Sequence, residues 1–119
     1  MGNPVVHFEI NTARAPDLAH FYEKAFDWTM SPDGDDYVQI NTQGVCGGTG
    51  EPGINGGIGP SDPGDEFVTF YVQVPDVAEA LDRVVELGAE VDLPATEAGA
   101  VVIAAFRDPA GNRIGLVRG

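Results

Sequence analysis

The sequence predicts an α+β fold built from two βαβββ modules within one domain. Each half of the chain opens with a segment that alternates apolar and polar residues, VVHFEI and FVTFYVQV, as half-buried strands do. Each segment is followed by a helical stripe, and the two stripes have the same spacing from their first members, Leu18 and Val77. We expect the modules at about 4–59 and 66–118, joined by a loop rich in glycine and proline.

The first module continues with a helix in which Pro16 suits the first turn. Asp33-Gly34 marks a turn before the alternating segment DYVQIN, and a last strand is expected around Ile54–Ile58. Residues 43–66 are dense in glycine and proline, which is typical of a flexible or functional loop. The following aromatic residues are expected to pack between helix and sheet: Phe21, Tyr22, Phe26 and Trp28.

The second module gives clearer helix boundaries. Asp76 is a candidate N-cap with Glu79 as its capping-box partner, and Gly88 is expected to end the helix. Three short strand candidates follow, in AEVDLPAT, AVVIAAF and NRIGLV. The competing arrangement is a ferredoxin-like βαββαβ fold, which has to treat the loop between the modules as an insertion.

Charge and composition exclude several functions. The formal net charge of the 119 residues is −13, and the six basic residues form no cluster that could displace counterions from nucleic acid. No apolar run approaches the length of a membrane span, and the start of the chain lacks a basic segment before an apolar one. The single cysteine, Cys46, excludes an internal disulfide and a thiolate zinc site. We therefore expect a cytoplasmic protein that binds neither nucleic acid nor membranes, with a bias toward cationic ligands.

Strand alternation assigns one mixed face to the sheet. The apolar residues of each strand are expected to face the helices, which leaves polar, aromatic and small residues on the other side. A face of this composition suits a small-molecule pocket. The candidate ligand-binding residues on it are His7, Glu9, Tyr37, Gln39, Thr69, Tyr71, Arg113 and Gly115.

Two motifs carry a resemblance to a known family. The pieces HFEI…FYEKAFDW and FRDPAGNRIGLV resemble the vicinal oxygen chelate superfamily, which includes glyoxalase I, bleomycin-resistance proteins and extradiol dioxygenases. Asp27 stands where the family usually has glycine. The resemblance implies a cupped eight-stranded mixed sheet with the helices on its outer face, the site in the cup and often a dimer.

The resemblance also implies positions for a divalent metal. Enzymes of this family hold the metal with four side chains, one from each of four strands. By register these positions fall on His7, Gln39, Thr69 and Gly115, the last replacing a glutamate. Histidine is a good donor, glutamine a weak one, threonine a poor one and glycine none, whereas a catalytic site needs about three protein ligands.

The sequence therefore leaves three functions open. The first, which we favour, is a metal-independent small-molecule-binding protein of the bleomycin-resistance type, with no cofactor, a cationic or aromatic ligand and a homodimeric state. The second is a glyoxalase-like lyase or dioxygenase-like metalloenzyme with a degenerate site, in which His7, Gln39 and Glu9 are the candidate ligands. The third is a partner-binding module.

Individual residues keep alternative interpretations. His7 is expected to bond a neighbour such as Gln39 or Glu9, with ligand contact as the alternative. Arg113 is expected in a salt bridge with Glu9, with the clamping of an anionic ligand as the alternative. Tyr71 is expected to form a pocket wall, and Gly115 is expected to leave room for a ligand.

Overall fold

A computed structural model describes residues 2–119 and contains the elements β-α-β-β-β twice in succession. This order confirms the α+β class and the two modules, and it is not that of the ferredoxin-like alternative. The elements are β1 (Val5–Thr12), α1 (Ala15–Phe26), β2 (Thr29–Asp33), β3 (Tyr37–Asn41), β4 (Gly56–Pro60), β5 (Phe67–Gln73), α2 (Val77–Glu86), β6 (Glu90–Ala98), β7 (Val101–Arg107) and β8 (Arg113–Arg118).

The chain divides into two compact units, which we call the His7 unit (His7–Val68) and the Thr69 unit (residues 2–6 with Thr69–Gly119). In the His7 unit the strand order is β2-β3-β4-β1, with β1 and β4 parallel and the other pairs antiparallel. Its core consists of Ile10, Ile40 and Ile58, against which the less exposed side of α1 packs.

In the Thr69 unit the strand order is β5-β8-β7-β6. Strands β5 and β8 are parallel, and β8, β7 and β6 follow in antiparallel pairs with two register shifts along β6. The core consists of Val74, Val77, Leu81, Ala104 and Leu116. Each unit thus places a parallel strand pair at one side of a mixed sheet, formed by the first and last strands of its module.

The two helices differ in how they are anchored. Helix α2 begins at an Asp76 cap, whose carboxylate accepts from the backbone N–H of Glu79 at 3.0 Å, and ends before Gly88 at φ +108°, as predicted. Helix α1 has Pro16 in its first turn, as predicted, but no side-chain cap and no fully buried residue. Its end is set by Asp27, whose φ of 58° is left-handed.

The prediction that the four aromatic residues pack between helix and sheet is wrong for two of them. Tyr22 and Trp28 pack against the core, whereas Phe21 is 57% exposed and Phe26 is 59% exposed. These two rings lie against Tyr22, with ring centroids 5.0 Å and 6.2 Å away. The first layer of aromatic rings already fills the contact with the sheet, so the second layer remains at the surface.

The assignment of faces also needs a correction on β5. Val68 is 70% exposed and Phe70 is 39% exposed, while Thr69 and Tyr71 on the opposite face are buried. The reason is that α2 packs chiefly on β6, β7 and β8, which leaves the apolar side of β5 less covered.

The glycine-rich segment contains more regular structure than expected. Strand β4 lies at Gly56–Pro60, two residues later than predicted, and an isolated bridge joins Val45 to Pro52. Among residues 2–119, no helix is long and apolar enough to span a membrane.

Candidate functional site

A hydrogen-bonded group joins β1 to β3 in the His7 unit. The Tyr37 hydroxyl donates to Glu9 Oε2 at 3.0 Å, and its oxygen lies 2.8 Å from His7 Nε2. Because the hydroxyl has one proton and gives it to Glu9, it accepts a hydrogen bond from His7, which then carries its proton on Nε2. The expectation that His7 bonds a neighbour is thus met through Tyr37.

Glycines on β4 make room for this group. Glu9 and Gln39 both pair in register with Gly57, which places the three positions side by side on the sheet. A Cβ on Gly57 would collide with the hydroxyl end of Tyr37, and a Cβ on Gly59 would lie 3.4 Å from a carbon of the same ring. The tyrosine ring therefore occupies space that any larger residue on β4 would take.

The environment keeps His7 neutral. Partial burial lowers the pKa of His7 below its ordinary value of 6.5, and the nearby Glu9 carboxylate opposes this by raising it. Burial is the larger effect, so the ring is neutral at neutral pH. With its proton on Nε2, the neutral ring has Nδ1 as its unprotonated nitrogen.

Gln39, the other predicted residue of this unit, takes part in a different contact. Its Nε2 donates to Asp33 Oδ2 at 3.0 Å, and its side chain is exposed. The structure therefore brings His7, Glu9 and Tyr37 together and directs the Gln39 amide toward Asp33.

The predicted residues of the Thr69 unit serve mainly packing. Thr69 is 4% exposed, and its hydroxyl donates to the Arg113 carbonyl at 2.6 Å. Tyr71 pairs in register with Gly115 and is 9% exposed. A Cβ on Gly115 would lie 2.5 Å from Tyr71 Cε2 and 2.8 Å from Cγ. The expectation that Gly115 leaves room for a ligand is therefore wrong, because the ring of Tyr71 fills that space.

Arg113 forms a salt bridge with Asp92 of β6, whereas the sequence suggested Glu9 as its partner. Its Nε lies 2.6 Å from Asp92 Oδ2, and Arg107 Nε approaches the other oxygen of the same carboxylate at 3.5 Å. The hydrogen bond from Arg113 is the main cause that lowers the pKa of Asp92 below its ordinary value. Asp92 thus joins the guanidinium groups of β7 and β8 to β6.

The four positions that the family uses for a metal do not offer a fitting donor set. His7 bonds Tyr37, the Thr69 hydroxyl donates to a carbonyl, and position 115 has no side chain. Within residues 2–119, no three histidine, cysteine, aspartate or glutamate side chains are grouped so that they could hold a metal ion. A catalytic metal needs about three such ligands.

A separate groove in the Thr69 unit, about 390 Å³ in volume, runs along α2. Its lining includes Asp76, Glu79, Asp82, Arg83 and Glu86. These are solvated side chains of a helix surface, and none of the predicted binding residues lines it.

Comparison with known protein families shows to which family the chain belongs. The family model described as Glyoxalase/Bleomycin resistance protein/Dioxygenase superfamily matches residues 5–116. The chain belongs to this superfamily. Strand β1, with His7, and strand β8, with Gly115, lie within the matched residues, so this member carries glycine at the position where the resemblance places a glutamate ligand.

Solved structures of the superfamily share the fold of this member. A Streptomyces coelicolor methylmalonyl-CoA epimerase variant in complex with 2-nitronate-propionyl-CoA matches with a TM-score of 0.66 and 14% identity, over 100% of this chain and 99% of that chain. A hypothetical protein from Bacillus halodurans C-125 matches with a TM-score of 0.71 and 15% identity, over 100% and 96%. Comparison with curated proteins finds no match.

Sequence reasoning missed three residues of the candidate site. Gly57 lies within the strand expected around Ile54–Ile58 and Gly59 lies just beyond it, but neither was singled out as a site residue, although their alternation with Ile58 in GGIGP is compatible with a strand that has one empty face. Asn11 was also missed, although it continues the period-two series of His7 and Glu9 along β1.

Proposed function

We propose that this protein is a metal-independent small-molecule-binding protein of the glyoxalase/bleomycin-resistance type. The ligand binds on the face of the His7 unit that carries His7, Glu9 and Tyr37. The observation that supports this proposal is the polar group around the Tyr37 hydroxyl above the glycines of β4. An aromatic ring with convergent polar groups is the usual composition of a ligand site.

Charge favours a cationic or neutral aromatic ligand. Glu9 supplies a carboxylate within the site, and the chain has a net charge of −13. A cation is attracted by this field, and an aromatic cation also stacks on a tyrosine ring. The acyl-CoA analogue held by the Streptomyces coelicolor epimerase carries phosphates, and six lysine and arginine residues give this chain little with which to bind them.

Metal analysis and ligand screening test the proposal together. We expect purified protein to contain no stoichiometric metal, and Ni²⁺, Zn²⁺ and Mn²⁺ to leave its melting temperature unchanged. Aromatic cations should raise the melting temperature by mass action in wild type. They should do so less in Tyr37→Ala, whereas His20→Ala, which alters an exposed histidine of α1, serves as a matched control. Stoichiometric metal whose binding is abolished in His7→Ala contradicts the proposal.

An enzyme that transfers protons is a second candidate, and one observation favours it. The chain of contacts from a neutral His7 through the Tyr37 hydroxyl to Glu9 is an acid–base arrangement. A glyoxalase-like lyase reaction is tested with the hemithioacetal of methylglyoxal and glutathione, with and without added Ni²⁺. Turnover that is lost in His7→Ala and kept in His20→Ala supports the enzyme over the binding protein.

We also propose that the protein is a homodimer, since a chain this small commonly flanks or completes a cup with a second copy. Light scattering coupled to size-exclusion chromatography measures the mass directly. A mass of about 25 kDa is expected from the 12.5 kDa chain, and a monomer at micromolar concentration contradicts the dimer.

A further inference from the structure

Two buried hydrogen-bonding groups of the His7 unit are left without partners. Asn11 is 5% exposed, and its amide nitrogen has no hydrogen-bond partner among residues 2–119. The hydroxyl of Ser61 is also buried and lacks a partner within the same residues. Folded proteins pair nearly all such groups, so two orphaned donors in one unit call for an explanation by function.

Both groups lie on the same face of the sheet, at the carboxyl ends of adjacent parallel strands. Asn11 pairs in register with Gly59, and Ser61 follows two residues later, so strand alternation places its side chain on the side of Asn11. The backbone N–H of Ser61 donates to the Thr12 carbonyl at 3.2 Å, which extends the pairing of β1 and β4 to this point.

The same face carries the candidate site. Strand alternation puts Asn11 on the side of His7 and Glu9. A Cβ on Gly59 would lie 2.9 Å from Asn11 Oδ1 and 3.4 Å from a ring carbon of Tyr37, so the amide and the ring are neighbours over this glycine. The two donors therefore extend the site beyond the edge of the tyrosine ring.

We propose that Asn11 and Ser61 bind a carbonyl oxygen of the small-molecule ligand. An amide NH₂ group and a hydroxyl are both donors, and a carbonyl oxygen accepts two hydrogen bonds through its two lone pairs. The Glu9 carboxylate on the same face disfavours a negatively charged acceptor, so the ligand class is a neutral or cationic ketone, ester or amide. Because both donors are buried, the oxygen reaches them only after a neighbouring side chain moves.

This inference rests on the proposed function, and it is tested with probes that differ only in the acceptor. Acetophenone carries a carbonyl group, ethylbenzene lacks it, and benzoate replaces it with a charged carboxylate. Titration of ¹⁵N-labelled protein is expected to shift the side-chain NH₂ signals of Asn11 with acetophenone. The affinity for acetophenone should exceed that for ethylbenzene by about ten-fold, as for one hydrogen-bonded group.

Matched variants separate the donors from the rest of the site. Asn11→Asp replaces the NH₂ group with an acceptor of the same shape and should reduce acetophenone binding to the level of ethylbenzene. Asn3→Asp adds the same charge at an exposed position and should leave binding unchanged. Ser61→Ala removes one donor without adding charge, and it is expected to weaken acetophenone binding several-fold even if Asn11→Asp fails to fold.

Several outcomes overturn the inference. Equal binding of acetophenone and ethylbenzene, or full binding of acetophenone by both Asn11→Asp and Ser61→Ala, removes the acceptor role while leaving ligand binding by Tyr37 intact. A crystal structure in which a water molecule bridges Asn11 and Ser61 and stays there at saturating acetophenone has the same consequence. Preferential binding of benzoate overturns the choice of a neutral acceptor.

Discussion

Tyr71 and Gly115 form one packing unit, because the pairing of β5 with β8 sets them side by side and the ring lies over the glycine. The atoms that a new Cβ would meet include Tyr71 Cγ, at 2.8 Å, which belongs to the base of the side chain rather than to its flexible end. The clash can therefore be removed only if the whole ring of Tyr71 moves, and this residue is 9% exposed.

Gly115→Ala is expected to destabilise the fold by about 1–3 kcal/mol, the usual effect of overpacking a filled core. Gly47→Ala is the control, since a Cβ there meets nothing within 4 Å. Chemical denaturation of the two variants measures the difference. In the Tyr71→Ala background, Gly115→Ala should reduce the free energy of unfolding by a smaller amount, because the two residues are in contact and their effects are not additive. Equal stabilities of Gly115→Ala and Gly47→Ala contradict this account.

His7 makes stability depend on pH. Because burial lowers its pKa in the folded state, the unfolded chain binds more protons once the pH falls below 6.5. The contribution of His7 to the free energy of unfolding is therefore complete above pH 6.5, and it is lost as the pH falls through the folded-state pKa. Free energies of unfolding measured at about pH 7.5 and 5.5 should differ more in wild type than in His7→Gln.

The electrostatic part of this effect is separable by NMR titration of His7. Glu9 raises the His7 pKa, so Glu9→Gln should lower it further. An unchanged or higher pKa in that variant shows that the carboxylate does not act on the imidazole as described. His20→Gln provides the assignment control, because His20 is the only other histidine of the chain.

At the scale of elements, the two helices are held by different means. Helix α2 buries Val77 and Leu81 and begins at a side-chain cap. In front of α1, Glu66 accepts hydrogen bonds from the Thr12 hydroxyl and the Ala13 backbone N–H, at 2.8 Å and 3.2 Å. The bond from Thr12 is the main cause that lowers the pKa of Glu66. Glu66, which is distant in sequence, thus holds the segment that precedes α1, the helix that lacks a side-chain cap.

Removal of the α2 cap is expected to cost about 1 kcal/mol, which is typical of an N-cap aspartate replaced by alanine. The change is Asp76→Ala, and the control is Asp82→Ala, which removes the same charge from an exposed position inside the helix. Urea denaturation measures both. A loss of stability as large in Asp82→Ala assigns the effect to net charge and not to the cap.

The elements were more predictable than the site, for reasons visible in particular residues. Asp76 and Gly88 act through the local backbone, so their roles could be predicted from neighbouring residues in the chain. The filling of position 115 depends on Tyr71, which lies far away in sequence and is brought there by strand pairing. Alternation along the strands placed Tyr71 and Gly115 on one face of the sheet, but it did not show which side chain would fill the space over the glycine.

Asp27 is a position where the sequence departs from the family pattern but the structure does not. It stands where the family usually has glycine, and it adopts the left-handed conformation that glycine supplies, with φ 58°. Aspartate tolerates this conformation better than most residues, so the substitution preserves the helix end. The sequence showed a departure from the pattern, and the backbone shows that the structural role is retained.

For the molecule as a whole, the net charge of −13 sets the response to salt. Repulsion among the carboxylates destabilises the compact state, and added ions screen it. Raising sodium chloride from about 10 mM to 500 mM, which shortens the Debye length well below 10 Å, should therefore increase the melting temperature. The increase should be smaller when the exposed turn residues Asp35 and Asp36 are changed to asparagine. A melting temperature that falls with salt shows that attractive ion pairs dominate instead.

The tyrosine rings over Gly57 and Gly115 also constrain how this sequence can diverge further. A single change of glycine to glutamate at 115 meets a filled space, so it lowers stability before any new ligand for a metal is gained. A smaller residue at 71 has to come first, and that change alone leaves a cavity in the Thr69 unit. A side-chain ligand at position 115 therefore requires two coupled substitutions, and each of them alone lowers the stability of the fold.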